Sequence, residues 1–211
     1  RDDYTQQATP APTYQQRIRR LVSSKRRSLT PGAVAREFVA ASVGGLDELA
    51  RDFDDAAFSS AIALLARAQH IYVVGVRRSY AVAAYMTYAL QHIDKRVQLI
   101  DGVGGMVHEQ VRSIGRDDVI VAISFTPYGK ETLACVRHAE KRGAKTVVMT
   151  DSRLAPLARG ANSLLVVREG SAFAFRSLTS ALCLAQALFV ALAYRLELDV
   201  EETNHRGDYD D

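Results

Sequence analysis

A chain of 211 residues with 48% hydrophobic side chains is long enough to bury one substantial core, which excludes disorder as the main state. Thirteen glycines and five prolines exclude collagen-like and low-complexity architectures, and two cysteines exclude a disulfide framework or a cysteine-rich metal site. The formal charge of +3 conceals an uneven distribution: residues 1–30 carry seven Lys or Arg against two Asp, residues 31–196 nineteen against fifteen, and residues 197–211 one against seven.

Residues 1–30 contain Pro10, Pro12 and several glutamines, and read as a connector with one short amphipathic helix around Tyr14, Ile18, Leu21 and Val22. Its basic cluster, Arg17, Arg19, Arg20, Lys25, Arg26 and Arg27, either lies near a phosphate backbone or is simply solvated. Thr30-Pro31 is a helix-start signal, after which Val34, Phe38, Val39, Val43 and Leu46 recur at helical spacing. The pair Gly44-Gly45 is expected to weaken or break that helix. A second helix is predicted to start near Asp54-Asp55, where a carboxylate can cap free N–H groups, and to bury Phe58, Ile62 and Leu65.

From Ile71 the pattern changes to short β-branched runs at 71–75, 97–100, 118–124, 145–150 and 163–167. Between them the spacing predicts helices at Tyr80–His92, Met106–Ile114 and Lys130–Arg142, and a turn near Leu154–Ala158. Near-continuous apolar strands alternating with helices require a parallel sheet covered on both faces. The fold class is therefore α/β, a three-layer α/β/α sandwich of doubly wound type with a five-stranded parallel sheet, preceded by helices.

The last helix, Ser177 to Leu196, is apolar nearly all round and about long enough to span a bilayer. Thr179, Ser180 and Gln186 interrupt it, so it reads as a helix covering the sheet, with no membrane involved. Cys135 and Cys183 fall in apolar helical stretches and are expected to be small core residues in a cytoplasmic protein. The acidic segment 197–211 lacks apolar periodicity and is expected to be disordered. The division is thus connector 1–30, core domain 31–196 and tail 197–211; a start at Arg1 rather than Met fits a fragment of a longer protein.

In doubly wound sheets ligands bind beyond the carboxyl ends of the strands, where the strand order reverses. The loops there are Gly75-Val76-Arg77-Arg78-Ser79, Asp101-Gly102-Val103-Gly104-Gly105 and Ser124-Phe125-Thr126-Pro127-Tyr128-Gly129-Lys130-Glu131-Thr132. Backbone N–H groups at helix starts, with Ser and Thr hydroxyls, form an anion site suited to phosphate. Neither a G-x-G-x-x-G fingerprint nor a P-loop occurs, and no metal or cofactor is expected.

Ser79, Ser124 and Thr126 either bind the anion or cap helices, and of Arg77 and Arg78 one is expected to face the site. Tyr128 either stacks on a sugar or covers its loop, and Asp101 either meets a sugar hydroxyl or caps a helix. His108 and Glu109 are either acid/base groups or an ordinary helix start, while Ser177, after Arg176, either closes the pocket or caps the last helix.

The order of Gly75 to Ser79, the hydroxyl-rich loop after the third strand and TDSRLAPLARGANSLLVV at 150–167 resemble a SIS (sugar isomerase) domain. VVGVRRSYAVAAYMTYAL, DGVGGM and AISFTPYGKETL resemble the effector domain of the RpiR/MurR family of bacterial transcriptional regulators over about residues 35–196. Residues 1–30 resemble the tail of that family's N-terminal helix-turn-helix domain, most of which is then absent. The resemblance implies a sugar-phosphate or related effector, control of carbohydrate catabolism genes, a homodimer or tetramer, and DNA contacts made by the absent domain. It also implies ligand contacts from Arg77, Ser79, His108, Ser124, Thr126, Tyr128, Glu131, Thr132 and Ser177. Where SIS domains commonly carry S-x-S-G-x-T, Pro127 here replaces the glycine and removes one N–H donor.

Three functions compete, one of them a structural oligomerisation module built on the apolar helices at 34–50 and 177–196. A non-catalytic sensor is favoured by the basic connector, which a stand-alone isomerase does not need. A sugar-phosphate isomerase would use Glu109 or His108 to move a proton beside a carbonyl.

Overall fold

A computed structural model describes residues 14–23 and 29–207, with side chains as far as Glu197. Lys25, Arg26 and Arg27 of the basic cluster and the four acidic-tail residues 208–211 lie outside the described residues.

Helix α1 spans Tyr14–Ser23 and buries no residue. Helix α2 (Pro31–Arg51) starts where Thr30 Oγ1 accepts the Ala33 N–H at 3.2 Å, with Pro31 in the first turn where no donor is wasted. It is not broken at Gly44-Gly45. A Cβ at Gly45 would lie 2.7 Å from the Gly170 backbone nitrogen and 3.0 Å from Ser180 Oγ, so this glycine lets two backbones approach rather than ending a helix. Helix α3 (Asp55–Arg67) is capped by Asp54, whose Oδ1 accepts the Ala57 N–H at 3.0 Å.

Strands β1 (His70–Val74), β2 (Arg96–Ile100), β3 (Val119–Ile123), β4 (Lys145–Thr150) and β5 (Ser163–Val166) form one parallel sheet in the order β2-β1-β3-β4-β5. All five expected strands form, each within one or two residues at its ends. Alternation along them divides the core. Ile71, Val73, Val121 and Met149 face one side, under α3 and two later helices, α4 (Ser79–Leu90) and α7 (Thr179–Gly207). Tyr72, Val74, Ile120 and Val148 face the other side with α5 (Val107–Val111) and α6 (Lys130–Lys141).

Three further expectations are corrected. The helix predicted over Met106–Ile114 shrinks to α5 and a 3-10 turn at Val103–Gly105, because Gly102, Gly104 and Gly105 take left-handed φ values of 68°, 67° and 77°. Cys135 is buried and its thiol is pushed up to about 11 by that burial, but Cys183 is exposed. The buried stripe of α7 is Ala181, Leu184, Ala185, Leu188 and Leu192, and Cys183 falls off it. The acidic segment expected to lack structure continues α7 as helix to Gly207, since a helix anchored by packing extends at little cost per residue.

Helix α7 is long and apolar enough by composition to cross a membrane, yet its stripe is spent on the sheet. Its Val190 and Tyr194 remain 54% and 68% exposed, as do Val39 and Val43 of the adjoining α2 at 64% and 52%. A hairpin that the sequence pattern does not reveal, β6 (Ser171–Ala172) with β7 (Phe175–Arg176), joins β5 to α7.

Candidate ligand-binding site

The strand order reverses between β1 and β3, and a cavity of about 280 Å³ opens there. One wall is Arg77, Arg78 and Ser79, leading into α4; the facing wall is Ser124, Phe125 and Thr126, with Gly129 at the start of α6. Neither α4 nor α6 carries a side-chain cap at its N-terminus, so two positive dipole ends meet at one crevice, with the Ser79 and Tyr80 N–H groups at the start of α4 accepted by the Val76 and Arg77 carbonyls. The walls touch through a glycine: a Cβ at Gly129 would run into Val76 Cγ2. Gly129 donates its N–H to Ser124 Oγ at 3.2 Å, which tightens the second loop. Arg77 turns the first loop with φ 57°, a left-handed value costly for a residue with a Cβ.

Asp151, at the end of β4, ties the mouth together. Its Oδ2 accepts the Thr126 N–H at 3.0 Å, its Oδ1 accepts the Tyr128 hydroxyl at 3.0 Å, and Arg176 Nη1 lies 3.1 Å from Oδ2 and 2.9 Å from the Thr126 carbonyl. Burial pushes the Asp151 carboxyl up, but the hydrogen bonds from Thr126 and Tyr128 outweigh it and hold the group below the usual carboxylate range. Burial in turn raises the Tyr128 hydroxyl.

Arg78 is the most constrained cation. Its Nη1 donates to the Ser177 carbonyl at 3.1 Å and its guanidinium lies 5.0 Å from the centre of the Phe125 ring. Its Nη2 is buried with no protein partner among the described residues. Burial lowers its affinity for the proton, and Arg176 nearby lowers it further, while Glu169 and Asp151 act in the opposite sense. An anion in the cavity would satisfy both the unpaired donor and the repulsion between the two arginines.

The remaining wall comes from α1. Tyr14 and Arg17 line the cavity and meet the β6–β7 hairpin: the Tyr14 and Phe175 rings lie 5.4 Å apart, and Arg17 Nη1 donates to the Ala174 carbonyl at 3.3 Å.

Of the nine residues that the sequence singles out, Arg77, Ser79, Ser124 and Thr126 are brought together on the cavity wall. The other five are not on it. Tyr128 is turned to Asp151 and packs on the second core, so it covers its loop. Ser177 caps α7, its Oγ accepting the Thr179 N–H at 2.9 Å and meeting Ser42 Oγ at 3.2 Å. Glu131 is exposed in the first turn of α6, and Thr132 is fully buried with Oγ1 unpaired among the described residues. His108 is exposed on α5, its ring 6.0 Å from that of His138, and Glu109 beside it is exposed as well. Asp101 holds its own loop, accepting from Val103 N–H at 3.0 Å and Gln110 Nε2 at 2.7 Å. Both arginines of the pair line the cavity, where only one was expected.

The SIS domain family profile matches residues 64–191, which span every element of the sheet and the two strand-end walls of the cavity but not the wall from α1. The chain belongs to the SIS domain family. Among solved structures, the sugar isomerase domain of an RpiR transcription factor from Sphaerobacter thermophilus is similar at TM-score 0.74 and 22% identity, covering 82% of this chain and 97% of that one. The Vibrio vulnificus NanR protein complexed with ManNAc-6P is similar at TM-score 0.69 and 25% identity, over 83% of this chain and 69% of that one. A Methanococcus jannaschii protein whose structure infers a 3-hexulose-6-phosphate isomerase function is similar at TM-score 0.62 and 17% identity, over 82% and 96%. The SIS fold thus occurs here with neighbours on both the regulator and the isomerase side.

Proposed function

We propose that this SIS domain is the ligand-sensing part of an RpiR-type DNA-binding transcriptional regulator of carbohydrate catabolism genes, binding a sugar phosphate or related anion in the cytoplasm without turning it over. The observation that carries the reading is the cavity lining. Its polar side chains are arginine, serine, threonine and tyrosine, with no His, Asp or Glu among the described residues that line it. Such a lining binds an oxyanion, whereas aldose–ketose isomerisation needs a base beside the carbonyl. His108 and Glu109, the acid/base candidates of the isomerase alternative, lie on α5 rather than on the cavity wall. The likeness to NanR, complexed with ManNAc-6P, supports the effector class.

The regulator works as a homodimer in this reading, with the exposed Val39, Val43, Val190 and Tyr194 of α2 and α7 covered by a second copy. A ligand that favours one subunit arrangement would alter the spacing of two DNA-reading heads.

A thermal-shift screen of phosphosugars, amino-sugar phosphates and sugar acids tests the effector class. A ligand at 100 times its Kd stabilises by about 2.7 kcal/mol. The Ser124→Ala, Thr126→Ala double variant is expected to lose that shift; an unchanged shift would move the site elsewhere. Ketose–aldose interconversion that disappears in Glu109→Gln would establish the isomerase instead.

A further inference from the structure

We infer that the rim formed by the starts of the five parallel strands is a docking surface for the acidic end of α7 from a second copy of this chain. The contact is separate from the α2–α7 face, and it lies at the opposite ends of the strands from the cavity.

Because every neighbouring pair is parallel, all five strand starts lie along one edge: the register sets His70 beside Arg96, Ile71 beside Val119, Val119 beside Lys145 and Val147 beside Ser163. The turns that feed them are basic, since residues 67–70, 94–96, 115–118, 140–145 and 159–162 carry eight Lys or Arg against four Asp or Glu. Of these acids Asp118 is turned inward, accepting the Gly115 N–H at 2.8 Å and lying 3.1 Å from His70 Nδ1. Arg67, Arg96, Arg116, Arg142, Lys145 and Arg159 are exposed, and none of them is in an ion pair among the described residues. Hydrogen bonds hold the rim in one arrangement: Gln69 N–H donates to the Asp117 carbonyl at 2.9 Å, Lys145 N–H to the Asp118 carbonyl at 3.0 Å, and Arg142 Nε to the Ile114 carbonyl at 3.2 Å. A single exposed ion pair is worth little, but an ordered row of one sign attracts a matching row of the other.

The acidic end of α7 arrives at this same end of the molecule. Helix α7 starts at the cavity end, where the Ser177 carbonyl accepts from Arg78, and runs beside α3 and α4, which both descend to strand starts. Among the described residues Leu196 is the last that packs on the core. The helical backbone continues through residues 197–207, about 16 Å further at 1.5 Å per residue, and so carries its charge past its own rim. Residues 197–211 hold seven Asp or Glu against one Arg. Rim and helix end thus sit at one end of the chain with opposite sign, and a twofold axis there sets each helix end on the partner's rim, as an isologous contact requires. A nucleic acid approaching the rim would meet the projecting acidic helix, which repels phosphate; a second copy meets it with its own cations.

Light scattering on the full chain at micromolar concentration tests the contact. Between about 0.01 M and 1 M salt the Debye length falls from about 30 Å to about 3 Å, and the mass is expected to drop at least twofold, to the value that the α2–α7 face sets. The double variants Arg116→Glu, Lys145→Glu and Glu201→Lys, Glu202→Lys should each keep the lower mass at low salt, because each removes the complementarity. An equimolar mixture of the two should regain the higher mass, since each altered rim then faces an oppositely altered or native helix end. A mass independent of salt, or a mixture no heavier than its parts, overturns the contact. A wild-type chain that keeps the lower mass at low salt but binds a DNA duplex, with that binding lost in Arg116→Glu, Lys145→Glu, gives the rim to nucleic acid and overturns the contact as well.

Discussion

Tyr128 donates its hydroxyl to Asp151 Oδ1 at 3.0 Å, joining the loop after β3 to the end of β4. The bond orders the cavity wall from outside, since Tyr128 is not part of that wall. Tyr128→Phe is expected to cost about 1 kcal/mol of stability, read as a lower urea midpoint at unchanged slope, and to change ligand affinity less than threefold. A large loss of affinity at full stability would place the phenol in the site.

The same carboxylate sets an acid limit. Asp151 is held below its ordinary value, so it contributes stability above the unfolded-state value of about 3.9, and that contribution is lost as pH falls through the lower, folded value. Denaturation midpoints between pH 6 and pH 2 should fall below about pH 4, and the fall should be shallower in Asp151→Asn. Parallel curves for the two proteins would remove Asp151 as a contributor.

Adjacent glycines in α2 should respond in opposite directions. Nothing lies within 4 Å of a Cβ at Gly44, so Gly44→Ala should gain up to about 1 kcal/mol from helix propensity alone. At Gly45 the new methyl meets the Gly170 backbone, and Gly45→Ala should cost about 1–3 kcal/mol. Thermal denaturation of the two variants side by side checks this, and a stabilised Gly45→Ala would show that α2 can shift away from Gly170.

The proposed dimer can be tested without damaging the core. Phe189 is packed against the buried cluster, so an acidic residue there would unfold the domain and report nothing about association. Val190 is exposed. Light scattering at micromolar concentration should give a dimer mass that falls to the monomer in Val190→Asp, with the far-ultraviolet spectrum retained. A monomer in both proteins would remove the interface.

The sheet is legible in the sequence because parallel strands buried on both faces leave uninterrupted β-branched runs, such as Val119–Ile123, in which every residue is buried. The β6–β7 hairpin leaves no such trace. Its strands are two residues long, and its turn places Phe173 and Ala174 at φ 52° and 66° without the glycine or asparagine that normally marks such a turn. The strand-end loops locate Arg77, Ser79, Ser124 and Thr126, since that much follows from where the strand order reverses. Tyr14 and Arg17 are out of reach of the same argument: a helical pattern indicates that α1 is amphipathic but not which distant hairpin it meets. Resemblance alone points Thr132 to the ligand, and only packing reveals that it is sealed in the core; for Ser177 the sequence leaves pocket closure and helix capping open, and the structure decides for the cap.

Because every neighbouring pair in the main sheet is parallel, no adjacent strands can close through a tight hairpin, and the earliest helices must wait for the latest. Helix α3 packs on β5 and α7, and α2 packs on α7. During synthesis, then, the apolar side chains Phe58, Ile62 and Leu65 stay without their final cover until the chain has grown past Leu192. Refolding should accordingly be slow for a chain of this size, in the range of milliseconds to seconds or longer, and a chain stopped after Val167 should aggregate rather than settle into a smaller domain.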